Sequence, residues 1–330
     1  MMRAISLPGF GRPTSQLGYG CAFWPGTTEA QAHRLLHAAY DAGIRHFDVA
    51  PFYLDGRAEA YLGSFLVGRD DATVTTKYGL LPPSARPLHI QMARLLLGPA
   101  VRAVRSRRRA PGAPDSGGLT AKASYRPEQV RTSLARSLRL LRRSQVDLFL
   151  MHEPEVADLA VLGLLERVRT EKSAGRIGAF GVGGDVSRVS AAHRAQPEFC
   201  QITQFNRDAI RGGPNFPGAF EIHFWVLTRD FGALVAHFAE HADAAGRLAE
   251  KIGLDVTDAR VLARLMLKAA LLENSDGLTL IYSSDPKHIA DNADVVDDGA
   301  LTEPARRLIE AARDATLAGL ARPDAASAAS

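Results

Sequence analysis

Asp48, Tyr53, Lys77 and His152 are four residues whose types suit acid–base work on an oxygen atom. A phenol has an unperturbed pKa of about 10, too high to release its proton readily near neutrality. An adjacent ammonium stabilises the phenolate and lowers that value, and a carboxylate paired with the ammonium holds it in place. A nearby imidazole can hydrogen-bond to a substrate oxygen and orient it. The set suits protonation of a carbonyl oxygen while another group delivers hydride to the carbon. It is poorly suited to nucleophilic hydrolysis, and the chain has no Gly-x-Ser-x-Gly elbow. Each residue alone has a plainer reading. A strand-end Asp is commonly a helix cap or turn residue, and Tyr53 could pack with its hydroxyl satisfied. Lys77 could be a surface cation, and His152 a turn residue ahead of Glu153-Pro154.

Their places in the chain speak for the joint reading. Ile44–Asp48 is an apolar strand after a helix that stops at Gly43, and it hands Asp48 and Tyr53 to a loop. Thr73–Thr76, rich in β-branched residues, ends in Lys77, and Val146–Met151 ends in His152. In a parallel barrel such strand ends share one rim, where catalytic residues gather. Further strands are predicted at Leu17–Ala22, Ile177–Val182, Cys200–Phe205, Phe220–Leu227 and Leu278–Tyr282. Helices are predicted between them. The first opens at Thr28 with Gln31 in the capping-box position. Others cover Ala58–Val67, a stretch from Pro127, Leu159–Thr170, Val186–His193, Ala259–Leu272, Pro286–Val296 and Glu303–Leu320. Residues 1–15 read as a cap or hairpin. Eight strands interleaved with helices argue for an α/β protein, and the count favours a closed (β/α)8 TIM barrel over an open doubly wound sheet. The expected organisation is a single domain over 1–322 with an insertion at about 80–123, then a disordered tail over 323–330.

The bulk properties set bounds. The chain has 330 residues and a formal charge of +4, with Cys21 and Cys200 as its only cysteines. That excludes a disulfide framework and a zinc cluster of cysteines. The basic residues Arg102, Arg105, Arg107, Arg108 and Arg109 are concentrated in the insertion, so the charge is no nucleic-acid signature. That cluster reads as a solvated loop, or else as a site for a phosphate-bearing ligand or partner. A helix is plausible at Ile90–Val104. The start carries no signal peptide and no run reaches about 18 apolar residues, so a soluble cytoplasmic protein that meets no membrane is expected.

Three runs, GIRHFDVAPFY, VTTKYG and VDLFLMHEP, resemble the motifs of the aldo-keto reductases, in order and at fitting intervals. SLARSLRLLRRSQVDLFLMH is similar to that family's helix leading into its fourth strand, and SSDPKHIADN to its cofactor-adenosine segment. The resemblance spans about residues 16–297. It implies a barrel that binds NADPH, or less often NADH, without a Rossmann fold. Tyr53 would then be the general acid, Lys77 would lower its pKa, Asp48 would pair with Lys77, and His152 would position the carbonyl of a small substrate. Ser283, Ser284, His288 and Asn292 would lie near the adenosine, with Lys287 standing in for an Arg often found at the position of His288. Trp24 and Phe52 would wall the substrate pocket. Trp225, inside the seventh strand, reads as core.

The chain also departs from the family. Gly181-Val182-Gly183-Gly184 stands where Gly-Val-Ser-Asn is usual, so two side-chain contacts to a nicotinamide amide are missing at Gly183 and Gly184. The expected Gln is either Gln201 or Gln204. LTRDFG lacks the usual pyrophosphate clasp, with Arg229 as a substitute. Two other readings follow: a sugar or polyol dehydrogenase using NAD, and a non-catalytic member serving as a binding or regulatory subunit. GVGGDVS lacks the glycine pattern of a dinucleotide loop. Oligomeric state is not legible.

Overall fold

In the computed structural model, residues 2–81, 121–122, 125–207, 212–227 and 230–313 are described. A two-stranded antiparallel hairpin, β1 (Ala4–Ser6) and β2 (Pro13–Ser15), opens the chain. Eight parallel strands then close into a barrel: β3 (Leu17–Gly20), β4 (His46–Asp48), β5 (Thr73–Tyr78), β8 (Val146–His152), β9 (Ile177–Gly184), β10 (Ile202–Asn206), β11 (Phe220–Phe224) and β12 (Leu278–Ile281). The two short strands β6 (Leu80–Leu81) and β7 (Ala121–Lys122) pair antiparallel and tie together the two ends of the insertion. The predicted helix at Ile90–Val104, the Arg102–Arg109 cluster and residues 314–330 lie outside the described residues.

The helices follow the predicted alternation, apart from two after β11 that the sequence did not predict. They are α1 (Glu29–Asp41), α2 (Ala58–Phe65), α3 (Pro127–Leu141), α4 (Val156–Leu159), α5 (Leu164–Ser173), α6 (Val186–Ala195), α7 (Asp230–Glu240), α8 (Ala242–Ile252), α9 (Ala259–Glu273), α10 (Pro286–Asp297) and α11 (Thr302–Arg313). The capping box at Thr28 and Gln31 is present, with both reciprocal hydrogen bonds formed. One predicted helix, Leu159–Thr170, is two: the left-handed Gly163 (φ 79°) separates α4 from α5.

Strand parity sorts the core into two layers. One apolar cluster fills the bore with Leu148, Leu150, Ala179, Ile202, Ile222, Leu278 and Leu280, plugged from the hairpin by Ile5 and Leu7. The other packs between barrel and helices around Phe47, Phe149, Phe180 and Phe205. Helix α2 meets α3 so closely that a Cβ on Gly63 would lie 1.9 Å from the Leu140 carbonyl oxygen. Gly63→Ala therefore forces the two helices apart and should cost about 3 kcal/mol, read as a lower urea midpoint at unchanged slope.

Candidate active site

The carboxyl-terminal ends of the barrel strands carry a polar layer facing the bore. Asp48 ends β4, Lys77 sits on β5, His152 ends β8, and Gln204 lies on β10. Asp48 and Lys77 are both buried, and Lys77 Nζ donates to Asp48 Oδ1 at 2.5 Å. The same ammonium reaches the Tyr53 hydroxyl at 3.3 Å. Tyr53 opens a short 3-10 turn, Tyr53–Gly56, whose residues Leu54 and Asp55 adopt left-handed φ values of 50° and 56°. At the start of that strained turn the phenol lies back beside Lys77 on the neighbouring strand. His152 stands beside it, with ring centroids 6.2 Å apart and planes nearly perpendicular. All four residues singled out by the sequence thus come together, three of them on adjacent strands and Tyr53 in the turn after the first.

The electrostatics follow from burial in a small cluster of charges. Burial disfavours the charged form of Lys77, but Asp48 and Tyr53 outweigh it and hold the ammonium above its ordinary pKa. Burial pushes the Tyr53 phenol up and Lys77 pulls it down; the sum lies above the ordinary value. The expected influence of Lys77 is therefore real, but it does not overcome burial. Burial and the nearby Lys77 push the His152 imidazole well below its usual range, so it is neutral at neutral pH. Its Nδ1 is buried with no hydrogen-bond partner among the described residues.

Several neighbours escaped sequence reasoning. The buried Tyr125 donates its hydroxyl to the backbone carbonyl of His152 at 2.5 Å, fixing the strand end that carries the imidazole. No motif marks it, because it lies in sequence at the return of the insertion. Tyr125→Phe should leave that carbonyl unsatisfied, cost about 1 kcal/mol of stability and lower turnover several-fold, measured by thermal melts and initial rates. Cys21, counted only as a cysteine, is buried in the apolar layer between barrel and helices, and its N–H donates to the Asp48 carbonyl at 2.7 Å. The two candidate glutamines sit differently. Gln204 Nε2 donates to Asp48 Oδ2 at 2.9 Å, whereas Gln201 is exposed and bonds Lys172.

The other candidate positions are distributed around the same rim. Phe52 packs against both Tyr53 and His152, with centroids at 4.8 and 5.2 Å. Trp24 is 62% exposed in the loop after β3. Trp225 is not core: β11 stops at Phe224, and Trp225 is 43% exposed with a left-handed φ of 60°. That backbone turn ends the strand and throws the indole outward. After β12, Tyr19 donates to the Ser283 carbonyl at 2.9 Å, and Asp285 caps α10 by accepting from Lys287 N–H at 2.9 Å. Ser284, Lys287 and His288 are exposed there, and Asn292 is half-buried. Gly183 and Gly184, both buried, end β9 without side chains. Arg229 lies outside the described residues. Among the described residues no group of three or more His, Cys, Asp or Glu could hold a metal ion, and no helix is long and apolar enough to cross a membrane.

Comparison with known proteins bears on this geometry. The aldo/keto reductase family model matches residues 16–204. A D-threo-aldose 1-dehydrogenase from a Pseudomonas species is 32% identical over 185 residues, 52% of this chain and 50% of that protein. The chain thus spans about half the length of this curated relative. A pyridoxal 4-dehydrogenase from Microbacterium luteolum is 38% identical over 81 residues, 23% of this chain and 24% of that protein. Among solved structures, a glycerol dehydrogenase from Gluconobacter oxydans superposes with a TM-score of 0.64 at 19% identity, covering 97% of each chain. An aldo-keto reductase from Klebsiella pneumoniae in complex with NADPH superposes with a TM-score of 0.55 at 18% identity over 90% of each chain. At those identities the structures bear on the fold alone.

Proposed function

The chain belongs to the aldo/keto reductase family, and from that premise we propose that it is a nicotinamide-dependent oxidoreductase interconverting a carbonyl and an alcohol, with Tyr53 as general acid. The observation that carries this is the bonded set Asp48–Lys77–Tyr53 beside a neutral His152. The completeness of that set speaks against a non-catalytic subunit. Tyr53 gives its proton to the substrate oxygen, and Lys77 stabilises the phenolate left behind. Asp48 keeps the ammonium in place. With Nδ1 buried, His152 offers Nε2 as the hydrogen-bond donor that orients the same oxygen. Phe52 keeps water from the reacting atoms.

The residues present fit a nicotinamide dinucleotide. Ser283, Ser284, His288 and Asn292 suit its adenosine end, and the exposed Lys287 suits a phosphate on the ribose, so NADPH is favoured over NADH. Gly183 presents no side chain, and the contact to the nicotinamide amide falls to the Gln204 carbonyl oxygen. Arg229 is the proposed pyrophosphate contact. When bound, the reduced cofactor supplies the hydride that none of this chain's side chains can.

A second reading, oxidation of a sugar at its anomeric carbon, is supported by the similarity to a D-threo-aldose 1-dehydrogenase. Trp24, Trp225 and Tyr282 are exposed at the ends of three neighbouring strands, and flat apolar surfaces of this kind suit a sugar ring. The same four residues run either direction, with Tyr53 as acid in reduction and as base in oxidation.

The test is a fluorescence titration with NADPH, NADH and their oxidised forms, read by quenching of the two tryptophans, followed by a screen of carbonyls and aldoses with the cofactor that binds. Lys287→Ala should weaken NADPH about tenfold, or ~1.4 kcal/mol, and leave NADH unchanged. Failure of all four nucleotides to bind would overturn the proposal.

A further inference from the structure

The barrel order β10, β11, β12, β3, β4 puts Gln204 and Asp48 four strands apart in a ring of eight, on opposite walls of the bore. Gln204 nevertheless reaches across, and its Nε2 lies 2.9 Å from Asp48 Oδ2. The other carboxylate oxygen receives Lys77 at 2.5 Å. The buried Asp48 is thus held from both sides, by a cation on one oxygen and a neutral donor on the other. Both Asp48 and Gln204 are only 3% exposed, so neither has water as an alternative partner.

The crossing depends on empty space. Gly183 is the register partner of Gln204 on β9 and faces the same bore. A Cβ there would sit 3.1 Å from Gln204 Oε1 and 3.5 Å from its Cβ, closer than the amide tolerates without moving. Gly20, in the same layer on β3, likewise leaves the bore open: its Cβ would meet only the Ile281 carbonyl, at 3.6 Å. A glutamine can span a barrel only where such gaps exist.

We propose that Gln204 is a positioning residue of the acid–base set, bracing Asp48 across the bore, and that Gly183 is the position that leaves it room. The inference rests on the role given above to Tyr53, and it gives Gln204 a second task beside the proposed nicotinamide contact and gives Gly183, where a side-chain contact is missing, a task of its own. The amide N–H stabilises the carboxylate charge, so less of that charge is felt at Tyr53. It also fixes the carboxylate plane so that Oδ1 points at Lys77. Without the brace, Oδ2 is a buried acceptor with no donor, and Asp48 opposes ionisation of the phenol more strongly.

The test reads Tyr53 directly rather than through turnover. Protein labelled with 3-fluorotyrosine, whose phenol ionises at lower pH, is titrated by fluorine NMR, and the Tyr53 resonance is assigned by its loss in Tyr53→Phe. Relative to the wild-type sequence, the Tyr53 midpoint should rise by about 0.5 pH unit in Gln204→Leu. It should rise by more in Gln204→Glu, where a second carboxylate faces Asp48, and by less in Gly183→Ala. Near-UV circular dichroism verifies the fold, and Gly183→Ala supplies the reading if the Gln204 variants do not fold. A midpoint common to the wild-type sequence and all folded variants overturns the proposal. A wild-type protein that turned over no carbonyl or alcohol would instead sink the enzymatic reading while leaving this titration intact, so the two failures are distinguishable.

Discussion

Tyr53→Phe lowers turnover by about 10²–10⁴, or ~3–5 kcal/mol of transition-state stabilisation, and leaves the dissociation constant of the cofactor within about twofold. The change removes one oxygen atom and little else. The ring keeps its edge contact with Phe52 at 4.8 Å, and Lys77 keeps its 2.5 Å bond to Asp48 while losing only the 3.3 Å contact to the phenol. Stability should therefore move by less than ~1 kcal/mol, so lost activity cannot be assigned to unfolding. Single-turnover rates with saturating cofactor are the measurement. A loss below tenfold would remove Tyr53 from the role of acid.

The pH dependence carries a linked expectation. Reduction needs the protonated phenol, so its rate falls as pH rises through the Tyr53 pKa, which burial places above the ordinary tyrosine value. Oxidation needs the phenolate and falls as pH drops through the same value. Neither profile should show a step near pH ~6.5, the usual histidine value, because burial and Lys77 keep His152 neutral until the pH is well below it. The step should be absent in the Tyr53→Phe residual rate as well.

Asp48, Lys77 and His152 were legible because each lies at or beside a strand end, Tyr53 because it follows one in the same loop, and strand ends can be read from apolar runs that stop at a polar residue. The hairpin, the eight strands and the capping box were legible for the same local reasons. What failed was anything decided by a single backbone angle. Gly163 splits a predicted helix, and Trp225 leaves its strand through a left-handed φ that no neighbouring residue announces. Helices α7 and α8 were not predicted, since LTRDFG reads as loop although Leu234 and Phe238 bury one face. Longer-range facts were beyond reach altogether. Gln204 is 156 residues from Asp48, and only closure of the barrel sets them face to face.

Lys77→Met tests the other half of the relay, and its largest effect is on the fold. The substitution keeps an unbranched stem of similar length and removes the ammonium. Asp48, 3% exposed, is then a buried carboxylate held only by Gln204. Breaking a buried pair from one side costs about 3–5 kcal/mol, because desolvation of the remaining charge is no longer offset. Replacing both partners is a different matter, since no charge is left to desolvate. Asp48→Asn/Lys77→Met should therefore recover most of that loss in urea unfolding, while its turnover stays as low as that of Lys77→Met. Stability and catalysis separate because the pair breaks nearly even as a structural device, yet only the ammonium can stabilise a phenolate at Tyr53. If the double variant were as unstable as the single one, the loss would lie in packing of the lysine stem rather than in the charge. The 2.5 Å contact would then be incidental to stability, and the case for Asp48 as the residue that holds Lys77 in place would fall with it.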